Sequence, residues 1–208
     1  MKIVIATSNA HKVQEFRAML EPLGHSVVSA GEMGGMPPVD EDGSTFEENA
    51  AKKACQAALA FHCPVMADDS GLEVIALGGE PGVLSARYAG EGGNDGRNLA
   101  KLLGKLQGME DRRARFVCAI ALADAQGRLQ GCVRGEVQGH MADAPRGKEG
   151  FGYDPAFVPQ GYEQTFGELP PQVKNRLSHR ARALEQAIRQ FFPDAPPGAR
   201  EGNRQEEA

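Results

Sequence analysis

The chain has 208 residues, 41% of them hydrophobic and 25% charged, which is enough for one substantial domain with an apolar core. Acidic residues number 28 against 23 basic ones, and the net charge of -5 gives the surface no general attraction for nucleic acid or an anionic membrane. The four cysteines show no C-x-x-C spacing and fit reduced thiols in a cytoplasmic protein, while no apolar run reaches the length of a membrane span.

In chain order, Ile3-Val4-Ile5-Ala6 is a β-branched run of the kind found in a strand buried on both faces. Thr7, Ser8 and Asn9 supply turn and cap residues, after which Val13, Phe16, Leu20 and Leu23 fall at helical spacing and Gly24 stops the helix. A second strand follows over 25–29, so the chain opens as an α/β fold. Between the first strand and helix, Thr7-Ser8-Asn9-Ala10-His11-Lys12 brings backbone N–H groups, two hydroxyls, an amide and an ammonium together, a set suited to phosphate. The G-x-x-x-x-G-K-[ST] phosphate loop is absent, and a capped helix start with a surface lysine accounts for these residues equally well.

Residues 31–43 form a Gly/Pro-rich loop containing Asp40-Glu41-Asp42. Thr45 and Glu48 then have capping-box spacing ahead of a helix whose apolar face carries Ala50, Ala54, Ala57, Ala58 and Phe61. The short strand Pro64–Ala67 is expected to end in Asp68-Asp69, with Ser70 next. Adjacent carboxylates at the carboxyl edge of such a strand read either as a surface turn or as a divalent-cation site, with Glu41 as a further carboxylate. Mg²⁺ uses one or two protein carboxylates plus phosphate oxygens, and the neighbouring carboxylate is then available for proton transfer.

Farther on, a glycine-rich stretch offers Arg87, and a helix from about Asp95 carries Leu99, Leu102, Leu103 and Leu106. Residues 115–123 and 129–138 read as a hairpin of strands. Phe151-Gly152-Tyr153-Asp154 follows a glycine-bearing loop, where glycines allow close backbone approach and an aromatic stacks on a base or plugs the core. Lys174, Ser178, His179 and Arg180 gather at the expected start of the last helix, with donors suited to phosphate or a carbonyl oxygen. Residues 193–208 lack periodicity and large apolar side chains and read as a disordered tail.

Seven segments then stand in register: TSNAHK, DGSTFEENA, ADDSGLEV, PGVLSARYAG, ARFVCAIAL, GFGYDPAFVP and KNRLSHRARAL. Together they resemble the inosine triphosphate pyrophosphatase family over residues 1 to about 192. The resemblance implies a single catalytic domain over 1–192, built as a long mixed central β-sheet flanked by helices, with two lobes around a nucleotide cleft. It implies a homodimer that hydrolyses ITP, dITP and XTP to the monophosphate and pyrophosphate with Mg²⁺, clearing deaminated purines from the nucleotide pool. By motif, Thr7, Ser8, Asn9, Ala10, His11 and Lys12 would hold the triphosphate. Glu41 and Asp69 would bind one or more Mg²⁺ ions, with Asp69 the proton acceptor and Asp68 its less defined neighbour. Ser70, Phe151, Gly152, Tyr153, Asp154 and Lys174 would contact the nucleotide, and His179 and Arg180 the base. One departure stands out: many relatives read T-G-N-x-G-K where this chain places His11, which is expected to change the shape of the loop. Three other activities share part of this pattern: a pyrophosphatase for other modified nucleotides, a metal-dependent phosphomonoesterase, and a non-catalytic nucleotide-binding module.

Overall fold

The computed structural model describes residues 2–193, so nearly all of the predicted tail lies outside the described residues. Six strands form one sheet in the order β2-β1-β3-β4-β5-β6. Its parallel part is β1 (Lys2–Ile5) between β2 (Ser26–Ser29) and β3 (Val65–Val74). Its antiparallel part runs from β3 through β4 (Arg113–Ala123) and β5 (Leu129–Met141) to β6 (Phe157–Pro159). This mixed sheet, flanked by helices, is the expected fold class.

Helix α1 (Ala10–Leu20) begins at Asn9, whose Oδ1 accepts from the N–H groups of His11 at 2.9 Å and Lys12 at 3.3 Å. An N-cap of this kind is worth about 1 kcal/mol. Helix α2 (Phe46–Phe61) is capped by Thr45, and Glu48 turns back to Ser44, one residue earlier than a strict capping box. Its alanine face, Ala50, Ala54, Ala57 and Ala58, packs against Val65 and Ala67 of β3 and the odd-numbered alanines of β4. The small side chains bring α2 close to the sheet. On the opposite face, α1 and α5 (His179–Phe191) pack against Met66, Cys118, Ile120 and Val133. A third apolar cluster joins Leu72 and Val74 to α3 (Asp95–Lys105) and to Phe157 and Phe166.

Three expectations need correction. The strand carrying the acidic pair does not end there: β3 runs ten residues, and Asp68 and Asp69 pair in mid-strand with Ile120 and Ala119. Charge in the middle of a strand mimics a strand end, and here the hydrogen-bond ladder to β4 overrides it. Lys174 does not open the last helix but lies on a separate short helix, α4 (Pro171–Leu177), and the chain turns at Ser178, which caps α5. The strands of the hairpin extend past their predicted limits, to Arg113 and Met141.

Candidate active site

Side chains alternate between the faces of a strand, so the two adjacent aspartates of β3 point in opposite directions. Asp69 faces α2, where Lys53 Nζ lies 2.7 Å from its Oδ1 and Asn49 Nδ2 donates to Oδ2 at 3.3 Å. Asp68 faces α1 and α5. Its Oδ2 lies 2.9 Å from Lys12 Nζ and 3.1 Å from Arg180 Nη2. The sheet therefore separates two carboxylates that the covalent chain places side by side.

Their acid–base properties diverge accordingly. Burial alone would raise the pKa of Asp68, but Lys12, Arg180 and Lys53 outweigh it and hold this carboxyl well below the usual range. For Asp69 burial wins: its pKa is raised, and Lys53 only partly offsets the loss of solvation. Asp68 is thus a fixed anion, and Asp69 is the more basic of the pair.

A chain of buried opposite charges leads away from Asp68. Arg180, 1% exposed, donates through Nη2 to Ser70 Oγ at 2.9 Å and through Nη1 to Glu15 on α1. Glu15 also accepts from Lys174 Nζ at 2.7 Å, and Lys174 reaches Asp154 at 2.6 Å. Asp154 in turn accepts from the N–H of Phe151 at 2.8 Å and so holds the Phe151–Asp154 turn. His179 stacks on Phe116 with ring centroids 4.7 Å apart. Burial first, then Arg180 and Lys174, lower its pKa well below the ordinary value, so its imidazole is neutral and its buried Nδ1 has no partner among the described residues.

Two glycines set the depth of this arrangement. A Cβ on Gly135 of β5 would lie 2.2 Å from Ala183 N and 2.3 Å from His179 O, so α5 rests directly on the strand's backbone. A Cβ on Gly71 would lie 2.3 Å from Ser85 Oγ, and Ser85 accepts the Leu72 N–H at 2.9 Å. The 82–87 segment thereby closes the far wall of the cleft, where Arg87 donates to the Glu41 carbonyl at 2.9 Å.

All of the predicted site residues except Ala10 and His11 line this one cleft. His11 lines an adjoining cavity, with Phe151 and Lys174 shared between the two. Within the predicted turn, Phe151 stays partly open, whereas Tyr153 is buried with its hydroxyl donating to Ser85 O at 2.9 Å. Sequence reading missed Lys53, Glu15 and Asn49. The available signal for Lys53 and Asn49 was their position on the buried alanine face of α2. Glu15 lies between Lys12 and Phe16 on a helix start, where a carboxylate ordinarily meets solvent.

The carboxylates of Glu41 and Asp69 converge on a single cation, the ammonium of Lys53, at 3.3 and 2.7 Å. Two carboxylates sharing one positive charge beside an opening for phosphate oxygens match the donor set that Mg²⁺ takes.

The sequence profile of the Ham1 family matches residues 3–190. The chain belongs to the Ham1 family. A Ham1 relative from Geobacillus kaustophilus, named dITP/XTP pyrophosphatase, is 52% identical over 192 residues, which cover 91% of this chain and 94% of the relative. One of the same name from Bacillus subtilis is 48% identical, covering 88% and 92%. Among solved structures, a HAM1 protein from Coxiella burnetii superposes with a TM-score of 0.83 at 40% identity, covering 93% of this chain and 99% of that one. Among the described residues, no helix is long and apolar enough to cross a membrane.

Proposed function

We propose that the protein is a nucleoside triphosphate pyrophosphohydrolase that converts ITP, dITP and XTP to their monophosphates and pyrophosphate. The observation that carries this reading is the splitting of Asp68 and Asp69 across the sheet, with Lys12 on one side and Lys53 on the other. That arrangement supplies an anchored cationic wall and a separate, more basic carboxylate in one cleft. The names of the Ham1 relatives support the same substrate class.

The triphosphate lies along the Asn9-capped start of α1, where the positive end of the helix and the Lys12 ammonium receive phosphate oxygens. Asp69 orients a water for in-line attack on the α-phosphorus and takes its proton. Its raised pKa brings it closer to the operating pH, which strengthens a general base. Lys53 and Lys12 neutralise charge on the departing pyrophosphate. Glu41 and Asp69 would hold Mg²⁺, which when bound supplies charge neutralisation to the phosphate oxygens. Neutral His179 and the one Nη1 hydrogen of Arg180 left over from Glu15, Asp68 and Ser70 are donors for a 6-oxo purine. A 6-amino group would leave such a donor buried and unpaired, which is how adenine is rejected. The proposal extends to a single catalytic domain, working as a cytoplasmic homodimer on free nucleotides rather than nucleic acid.

Incubation with ITP, XTP, dUTP, ATP and GTP in Mg²⁺, with identification of products, tests the reading. Pyrophosphate and monophosphate from ITP and XTP, with ATP turned over far more slowly, are expected. Orthophosphate from ITP, or equal turnover of ATP, would overturn it.

A further inference from the structure

Arg87 reaches across 46 positions of sequence to the main chain of Glu41, where its Nη2 donates to the carbonyl at 2.9 Å. Glu41 sits in a segment with little else to hold it. Among the described residues, no main-chain group of residues 36–42 pairs with another main-chain group. The next fixed point is Gly43, whose N–H donates to Asn49 Oδ1 at 2.8 Å. Arg87, by contrast, stands on a braced segment. Buried Asn98 of α3 donates to Ala86 O at 3.0 Å and accepts from the Ala89 N–H at 2.7 Å, one tie on each side of Arg87. Two residues before Arg87, Ser85 accepts the Leu72 N–H at 2.9 Å and so joins the segment to β3, the strand of Asp69.

We propose that Arg87 is a positioning residue for the metal site, setting where Glu41 stands relative to Asp69. The inference rests on the reading of Glu41 and Asp69 as the Mg²⁺ carboxylates. Asp69 is placed by β3 itself, whereas Glu41 belongs to an irregular segment and has no such frame. The path from Leu72 through Ser85 and Arg87 to Glu41 refers both carboxylates to the same strand. Two carboxylates serve one small cation only when their separation is held, because Mg²⁺ demands near-ideal octahedral geometry. The choice of the carbonyl matters as well. An arginine on the Glu41 carboxylate would occupy the oxygens a metal needs. On the carbonyl it fixes the residue and leaves those oxygens to Lys53 and the metal. A permanently charged guanidinium suits the task, since a charge-assisted hydrogen bond is about twice as strong as a neutral one.

The test measures, by titration calorimetry, binding of the Mg²⁺ complex of an ITP analogue with a methylene between the α- and β-phosphorus. It compares the full chain with Arg87→Met, Arg87→Lys, Glu41→Gln and the double variant of Arg87→Met with Glu41→Gln. Arg87→Met is expected to weaken binding about tenfold, the lower end of what loss of an outer partner of a metal ligand costs. Arg87→Lys keeps a charged donor and is expected to recover affinity to within about threefold. Once Glu41 is replaced, adding Arg87→Met should cost less than about twofold more, because a residue that acts through Glu41 has nothing left to position. Arg87 is exposed, so the thermal midpoint of Arg87→Met should stay within about three degrees of the unsubstituted chain. Unchanged affinity in Arg87→Met would overturn the inference, as would a larger fall in the midpoint. So would a full tenfold loss on the Glu41→Gln background, which would place the guanidinium on phosphate. Failure of the unsubstituted chain to bind the complex would instead refute the underlying reading of Glu41 and Asp69.

Discussion

Asp68 meets two cations at contact distance where Asp69 meets one, and the two side chains should respond differently to the same substitution. Asp69→Asn keeps the shape and an acceptor for Lys53 but removes the base. Turnover of ITP should fall at least about 100-fold while the thermal midpoint stays within a few degrees, since a general base contributes that much or more. Near-normal turnover would refute the assignment. Asp68→Asn leaves Lys12 and Arg180 facing each other without their shared anion. Urea unfolding should register a loss of about 3–5 kcal/mol, the range for breaking a buried pair. The pH profile separates them further. Burial raises the pKa of Asp69, so in the metal-free chain its carboxyl should titrate above the ordinary aspartate value of about 3.9 when followed by NMR. Asp68 should show the opposite displacement, because its cations hold its pKa down.

The elements that place these groups depend on close backbone approach. Gly135 lets the first turn of α5 rest on β5, and Gly135→Ala must push the helix outward by the width of a methyl group. That moves His179 and Arg180 together and loosens the contacts of Arg180 with Asp68 and Glu15. The expected result is a drop in kcat/KM for ITP of at least about tenfold, alongside a stability loss of about 1–3 kcal/mol typical of overpacking. Kinetics and urea unfolding on one preparation would check both. Much of this layer was legible in the sequence. The cap at Asn9, the alanine face of α2, the hairpin and the start of the last helix at Ser178 all stand where residue types predicted them. What stayed hidden has a common cause. Asp68-Asp69 looked like a strand end, and Glu15 stands where a carboxylate ordinarily meets solvent, because each is a charge whose compensating partner lies far away in sequence. Arg180 and Asp68 are separated by 112 positions, and no local pattern announces such a pair. The short elements α4 and β6 escaped for another reason: a helix of seven residues and a strand of three carry too few positions to display a period.

At the scale of the whole molecule, a chain of net charge -5 has to receive a polyanion. The cleft does not achieve this by an excess of positive charge. Lys12, Lys53, Lys174 and Arg180 are each matched by Asp68, Asp69, Asp154 or Glu15, so the protein offers a triphosphate little net attraction. A divalent cation would supply the missing charge. A non-hydrolysable ITP analogue with a methylene between the α- and β-phosphorus should therefore raise the thermal midpoint of the unsubstituted chain by several degrees with Mg²⁺ present and by less than about one degree in EDTA. An equal shift in both conditions would refute the charge-balance account. The mid-strand position of the acidic pair has a last consequence, for how the fold tolerates change. In the first half of β3, odd-numbered Val65, Ala67 and Asp69 look toward α2 and even-numbered Met66 and Asp68 toward α1 and α5, so insertion of one residue ahead of Asp68 would exchange the faces of both carboxylates without altering either. The division of labour in the cleft is written as parity along a single strand, and whatever keeps β3 in step with β4 keeps the chemistry in step as well.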